Sequence, residues 1–183
     1  MEFRKTIQAM QKLGTNVVDQ ARSNLKKEKK QTRANTLYND MNYVVTADKT
    51  GVELEWKFGG ASDYWDFVNE GVKGSGGFKG SGKMRGQGSP FSFKKKNIAK
   101  GVVLKWIANK PLKLRNAKGQ FKEKTQANLK TAAFLIGRAI AQRGLTRTLF
   151  FDNAYNKEVA KAENKIGQAF ADDLEANLEI LLK

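Results

Sequence analysis

Apolar residues recur along this chain in two periods, and the two periods mark its helices and strands. Phe3, Ile7, Met10, Leu13, Val17, Ala21 and Leu25 follow one another at three- and four-residue steps. That spacing predicts one amphipathic helix over residues 3 to 30, about 40 Å long at a rise of 1.5 Å per residue. A single apolar stripe serves either of two purposes: packing on its own domain, or reaching a neighbouring subunit. Val52, Leu54, Trp56 and Phe58 instead alternate with Glu53, Glu55 and Lys57. Alternation of period two predicts a strand with one buried and one wet face. Residues 42 to 47 offer it a partner, and Asp48-Lys49-Thr50-Gly51 supplies the turn of a hairpin.

Beyond the hairpin, Ser62 or Asp63 can cap a short helix that begins at Tyr64-Trp65, carries Tyr64, Phe67 and Val68 on one side and stops at Gly71. Residues 74 to 90 are rich in glycine, whose ordering entropy opposes regular structure, so this stretch is expected to be a mobile loop in the free monomer. A helix is expected over residues 95 to 109, with Ile98, Val102 and Ile107 inward and Pro111 ending it. Leu112 to Leu114 and Gly119 to Phe121 flank a second hairpin or extended turn. Thr125 caps a helix running to about Gln142 and closed by Gly144; its inner face carries Leu129, Ala133, Ile136 and Ile140. Residues 146 to 151 are β-prone. The last helix, residues 154 to 182, keeps Val159, Ala162, Ile166, Phe170, Leu174 and Leu178 in register. There is no internal repeat. The elements predict an α+β fold: a small antiparallel sheet packed by long N- and C-terminal helices, with a long basic Gly-rich loop. They are read as one domain, 1–183, with a flexible basic insertion at about 72–90.

Composition narrows the chemistry. The 183 residues, 40% of them hydrophobic, can bury a core unaided by metals or disulfides. There is no Cys, which removes disulfides and thiol chemistry and permits a reducing compartment. There is no His either, which removes the commonest general base, the commonest zinc ligand and every His-dependent triad. The longest apolar runs, such as residues 132 to 136, fall far short of the roughly 20 residues that span a bilayer. The N-terminus reads as the start of an amphipathic helix and not as a signal-peptide core, so a cytosolic origin without membrane attachment is expected.

The formal net charge of +16 changes the picture most, because it calls for an anionic partner or an assembly that neutralises it. Residues 71 to 122 hold no Asp or Glu but 14 Lys or Arg, whereas residues 152 to 183 hold 7 acids and 4 bases. A basic middle and an acidic end can pair head to tail between copies, or present the basic face to nucleic acid.

Catalytic and ligand-binding readings find little support. The glycines follow a helix and lead from Lys83 into Met84, without the Lys-Ser or Lys-Thr of a phosphate-binding loop. Asp172 and Asp173 are adjacent on a helix and diverge; Glu175 and Glu179 fall on a polar face, as do Glu53 and Glu55 on the strand. No catalytic, cofactor or metal site is expected, and the protein is expected not to be an enzyme. Glu70 is the acid to watch, placed to neutralise a base of the loop that follows or of a neighbour. Lys73, Lys79, Lys83 and Arg85 on the glycine tether, with Phe78 among them, and Lys94, Lys95 and Lys96 beside Phe91 and Phe93, suit phosphate contact without sequence reading. Neutralising about four phosphates gives a log–log salt slope near −3.6.

Two short segments carry a resemblance. Tyr64-Trp65-Asp66-Phe67-Val68-Asn69-Glu70-Gly71, a tyrosine-led helix ending in an acid and a glycine, is followed by the basic glycine-rich stretch. Arg147-Thr148-Leu149-Phe150-Phe151-Asp152-Asn153-Ala154 precedes the last helix. With the long N-terminal helix and the hairpin, this order of features resembles the neck proteins of tailed bacteriophages, the tail-completion and head–tail connector proteins that form rings between portal and tail. Phe151 and Asp152 stand where that family commonly has a proline-containing step. The resemblance implies a virion structural protein assembled in the host cytoplasm. It implies a homo-oligomeric ring that contacts portal, other neck or tail proteins, with DNA passing through the lumen. Tyr64, Phe67, Glu70, Gly71, Arg147 and Phe150 are then structural motif residues. The alternative is a nonspecific, electrostatic DNA-binding protein.

Overall fold

The computed structural model describes residues 2–28, 36–79, 82–108, 113–115 and 118–182, with the backbone alone at 36, 100, 102, 108, 180 and 181. The expectations for residues 30 and 109, for Pro111 and Leu112, and for the side chain of Val102 lie outside these residues. The fold is α+β, with long first and last helices and two small antiparallel sheets. The chain divides into two compact units: residues 1–69 with 148–183, and residues 70–147.

The first unit contains helix α1 (Arg4–Lys27), the short α2 (Thr36–Asp40), strands β1 (Asn42–Ala47) and β2 (Val52–Lys57), and all but the last residue of α3 (Trp65–Glu70). The hairpin register pairs Tyr43 with Trp56 and Val45 with Leu54, so the apolar alternation of both strands faces one side. Its turn is fixed by Asp48, whose carboxylate accepts from Thr50 N–H at 2.6 Å, Thr50 Oγ1–H at 2.5 Å and Gly51 N–H at 3.0 Å. The hydroxyl of Thr50, and then these amides, hold that carboxyl below the usual carboxylate range.

The core of this unit is the stripe expected on α1. Leu13, Val17, Ala21 and Leu25 bury against Leu37, Met41, Phe58, Phe150, Phe151 and Ala154. Each full burial of a Leu, Val or Phe side chain stabilises by about 1.5–3 kcal/mol. Phe58, Trp65 and Phe151 form an aromatic nest: Trp65 stacks on Phe58 at 4.1 Å, and Phe151 meets both rings edge-on at 5.4 and 5.7 Å.

The last helix departs from expectation at both ends. Helix α6 spans Phe150–Leu181, four residues longer at its start than the apolar periodicity indicates. Residues 150 and 151 are helical and buried, not extended. Their aromatic side chains fill the core, and core packing overrides a β-prone local sequence. Towards the C-terminus the buried face passes through Asp173, while Phe170 and Leu178 are 38% and 57% exposed.

That buried Asp173 serves α1. The residue before α1 is Phe3, which makes no side-chain cap, and the first turn contains no acid. Asp173 Oδ1 accepts from Lys5 N–H at 3.1 Å, and Oδ2 accepts from Thr6 N–H and Thr6 Oγ1–H, both at 2.8 Å. A residue far along the chain thus supplies the cap that α1 lacks locally. Phe3 stacks on Phe170 beside it, with ring centroids 5.7 Å apart.

The second unit contains β3 (Val72–Lys73), α4 (Lys100–Ala108), α5 (Gln126–Arg143) and β4 (Gly144–Leu145). It has its own small core: Val103 and Ile107 of α4 against Ala133 of α5, flanked by Ile98, Leu129 and Ile136. The α4 helix starts at Lys100, later than expected. Lys94, Lys95 and Lys96 precede it in irregular chain. A helix starting at Lys95 would hold Lys95 and Lys96 in its first turn and Lys94 just before it, where cations oppose the positive end of the helix dipole. Thr125 caps α5 as expected, its hydroxyl accepting from Asn128 N–H at 3.3 Å. Among the described residues no helix is long and apolar enough to cross a membrane.

Candidate functional site

The two segments that carry the family resemblance lie more than 70 residues apart in sequence and meet in space. Within the first unit, Asn69 is the organising residue. It is 3% exposed. Its Oδ1 accepts from Phe151 N–H at 3.1 Å, and its carbonyl accepts from Thr148 N–H at 3.0 Å and Leu149 N–H at 2.9 Å. Thr148 Oγ1–H donates to the Val68 carbonyl at 2.6 Å. The residue before α6, Leu149, sits at φ 48° and offers no side-chain cap. Asn69 therefore caps α6 as Asp173 caps α1.

Within the second unit, Arg147 pairs with Glu70 at 2.6 Å, the two side chains being 33% and 22% exposed. Glu70 thus neutralises a base of its own chain, and that base lies beyond the loop that follows it. Gly71 is buried at φ 68°. A Cβ there would stand 2.6 Å from the Leu145 carbonyl oxygen and 2.7 Å from Arg147 N. Only glycine fits both the left-handed backbone and that approach. Of the expected motif residues, Glu70, Gly71 and Arg147 meet directly, and Phe150 is fully buried in the core of the first unit. Tyr64 and Phe67 are exposed, at 36% and 39%.

The glycine-rich stretch has almost no regular structure, and the backbone of α5 and β4 holds it at several points. Ser75 N–H and Gly76 N–H donate to the carbonyls of Ala141 and Gln142 at 2.9 and 3.1 Å, and Arg85 N–H donates to the Arg143 carbonyl at 2.7 Å. These bonds satisfy carbonyls that the end of α5 leaves without helical partners. At Gly144 the end of α5 passes close to residues 72–74 and 85. Gly144 stands at φ 92°, and a Cβ would lie 2.5 Å from the Val72 carbonyl oxygen and 2.7 Å from that of Arg85.

Lys73, Lys79, Lys83, Arg85, Lys94, Lys95 and Lys96 are all exposed, and none forms an ion pair among the described residues. The unit they belong to, residues 70–147, holds 19 Lys or Arg against 2 Asp or Glu, a net charge of +17. The rest of the chain holds 15 against 16, a net of −1. One of the second unit's two acids, Glu70, is already engaged by Arg147. The net positive charge of the protein belongs to one unit.

Three further cations of this unit, not singled out in the sequence, lie against aromatic rings. Arg143 lies with its guanidinium carbon 5.5 Å from the Phe78 ring centre and donates from Nε to the Lys83 carbonyl at 2.9 Å. Arg138 lies 5.7 Å from the ring of Phe134. Arg115 lies 4.2 Å above Phe121 in the small turn bridged between residues 115 and 121. Cations at i and i+4 from an aromatic, as in Phe134–Arg138, are a signal the sequence offers. The Arg143–Phe78 contact is long-range and has no such signal.

The acidic pair has a structural role. Asp172 bonds the Lys5 ammonium at 2.9 Å, which lowers its carboxyl and raises Lys5. Burial pushes the Asp173 carboxyl up, but the bonds from Thr6 and Lys5 outweigh it and the net shift is downward. Among the described residues no group of three acids is placed to hold a metal ion. In comparisons with known proteins, the chain matches no family model, no curated protein and no solved structure.

Proposed function

We infer that this chain is a structural virion protein of a tailed bacteriophage. It forms a ring with copies of itself in the neck or head–tail connector, completes the tail and joins it to the portal or head. The observation that carries this reading is the convergence of its two motif segments. Residues 64–71 and 147–154, chosen for their resemblance to neck proteins, interlock through Asn69, Thr148, Glu70, Arg147 and Gly71. Segments that form one device account for a shared pattern better than two unrelated matches do. The role is structural and not catalytic, and the protein resides in the virion. A ring around a DNA channel gives the unit of +17 a site facing phosphate.

The confinement of charge to residues 70–147 also favours a second reading, a nonspecific DNA-binding protein that acts without a ring. Native mass at low and moderate salt separates the two. A discrete ring-sized assembly, such as a hexamer or dodecamer, supports the neck reading. A monomer at every concentration and salt that still binds DNA supports the second.

A further inference from the structure

We propose that the groove between the glycine-rich stretch and α5, lined by Phe78, Lys79, Leu135, Arg138 and Gln142, seats the sugar–phosphate backbone of a nucleic acid. This rests on the DNA contact in both readings above and gives it a location. The groove holds about 500 Å³ and has no acid in its lining. Lys79 and Arg138 are exposed within it, and neither forms an ion pair among the described residues. Phe78 and Leu135 give it an apolar wall, and the Gln142 amide adds a donor. Arg143 backs the Phe78 ring and is fixed by the Lys83 carbonyl, so the ring is held in place before any ligand arrives. Cations, an amide donor and an aromatic wall together match phosphate and the faces of sugar or base.

Charge selects the partner. Residues 71 to 122 are 52 consecutive positions without an acid. Interfaces pair patches of opposite potential, so a surface of one sign this extensive calls for a partner that is negative throughout. The remainder of each chain carries a net charge of only −1, so a second copy falls far short of neutralising the +17 of this unit. A phosphodiester backbone, uniformly negative, is its complement.

The test measures affinity of the full chain for a fluorescent DNA duplex as a function of salt. Lys79→Gln and Arg138→Gln are compared with a triple Gln variant at Lys94, Lys95 and Lys96. Both groove side chains are exposed, so the variants retain the wild-type circular dichroism. Each groove variant is expected to lower the magnitude of the log–log salt slope by about 0.9, and the pair by about 1.8. Phe78→Leu is expected to weaken binding without changing the slope. An unchanged slope in both groove variants, with a shallower one in the triple variant, overturns the groove and leaves the DNA contact standing. Competition by polyglutamate equal to that by DNA, charge for charge, assigns the groove to an acidic protein surface and also overturns the proposal. Wild-type protein that fails to bind DNA at low salt overturns the DNA contact itself.

Discussion

Replacing Asp173 by alanine removes the distant cap of α1, and its effect can be worked from the contacts. Three donors lose their acceptor: Lys5 N–H, Thr6 N–H and Thr6 Oγ1–H. Thr6 is 2% exposed, so its donors are shielded from bulk water. Leaving buried donors unsatisfied costs about 1–3 kcal/mol. Loss of the cap costs about 0.5–2 kcal/mol, and loss of a negative charge at the helix N-terminus about 0.3–1 kcal/mol. These terms overlap, and about 3 kcal/mol is the expected total. For a chain of 183 residues, about 2–4 °C per kcal/mol places the fall in the helical unfolding midpoint at about 6–12 °C. Asp173→Asn keeps one acceptor oxygen and is expected to lose about half as much. The pH dependence has a fixed sign. The folded carboxyl is held below its unfolded value of 3.8, so its contribution is fully present above that value. It is lost as pH falls through the folded value, and the gap between wild type and Asp173→Ala narrows on acidification below about pH 4. Thermal melts followed by circular dichroism, at neutral pH and at steps below pH 4, measure both effects. A midpoint within about 2 °C of wild type refutes the capping argument.

Other outcomes follow from the same contacts. Asn69→Leu leaves the buried Phe151 N–H without its acceptor and is expected to cost about 2 kcal/mol in the same melts. Glu70→Gln breaks a partly exposed pair and is expected to cost less than about 1 kcal/mol, so a loss as large as that of Asn69→Leu counts against the assignment. Gly144→Ala forces a left-handed backbone and meets the Val72 and Arg85 carbonyls, an expected loss of about 3 kcal/mol seen by denaturant unfolding. Raising salt from about 50 to about 200 mM screens the unit of +17 and is expected to raise the thermal midpoint; a fall contradicts self-repulsion as a destabilising force in that unit.

The sequence discloses those parts of the fold whose causes are local. The α1 stripe from Leu13 to Leu25, the hairpin with its Asp48 turn, and the Thr125 cap all follow from periodicity and side-chain chemistry within a few residues, and all stand where expected. The caps on the two longest helices do not follow, because Phe3 and Leu149 carry no capping group and the donors are served by Asp173 and Asn69 from remote segments. One signal for Asp173 was present: it lies seven residues from Ile166, on the same helical face. The basic stretch was legible as charge, because charge is countable. The groove was not, since it depends on how residues 77–79 lie along α5, which long-range backbone bonds decide. Likewise the motif segments could be named from sequence, but their interlocking through Asn69 could not.

Native mass, measured by analytical ultracentrifugation across a concentration series at about 50 and about 200 mM salt, tests the central claim most directly. The account predicts one discrete closed assembly of ring size, visible as rings by electron microscopy. A monomer at every concentration and both salts contradicts it.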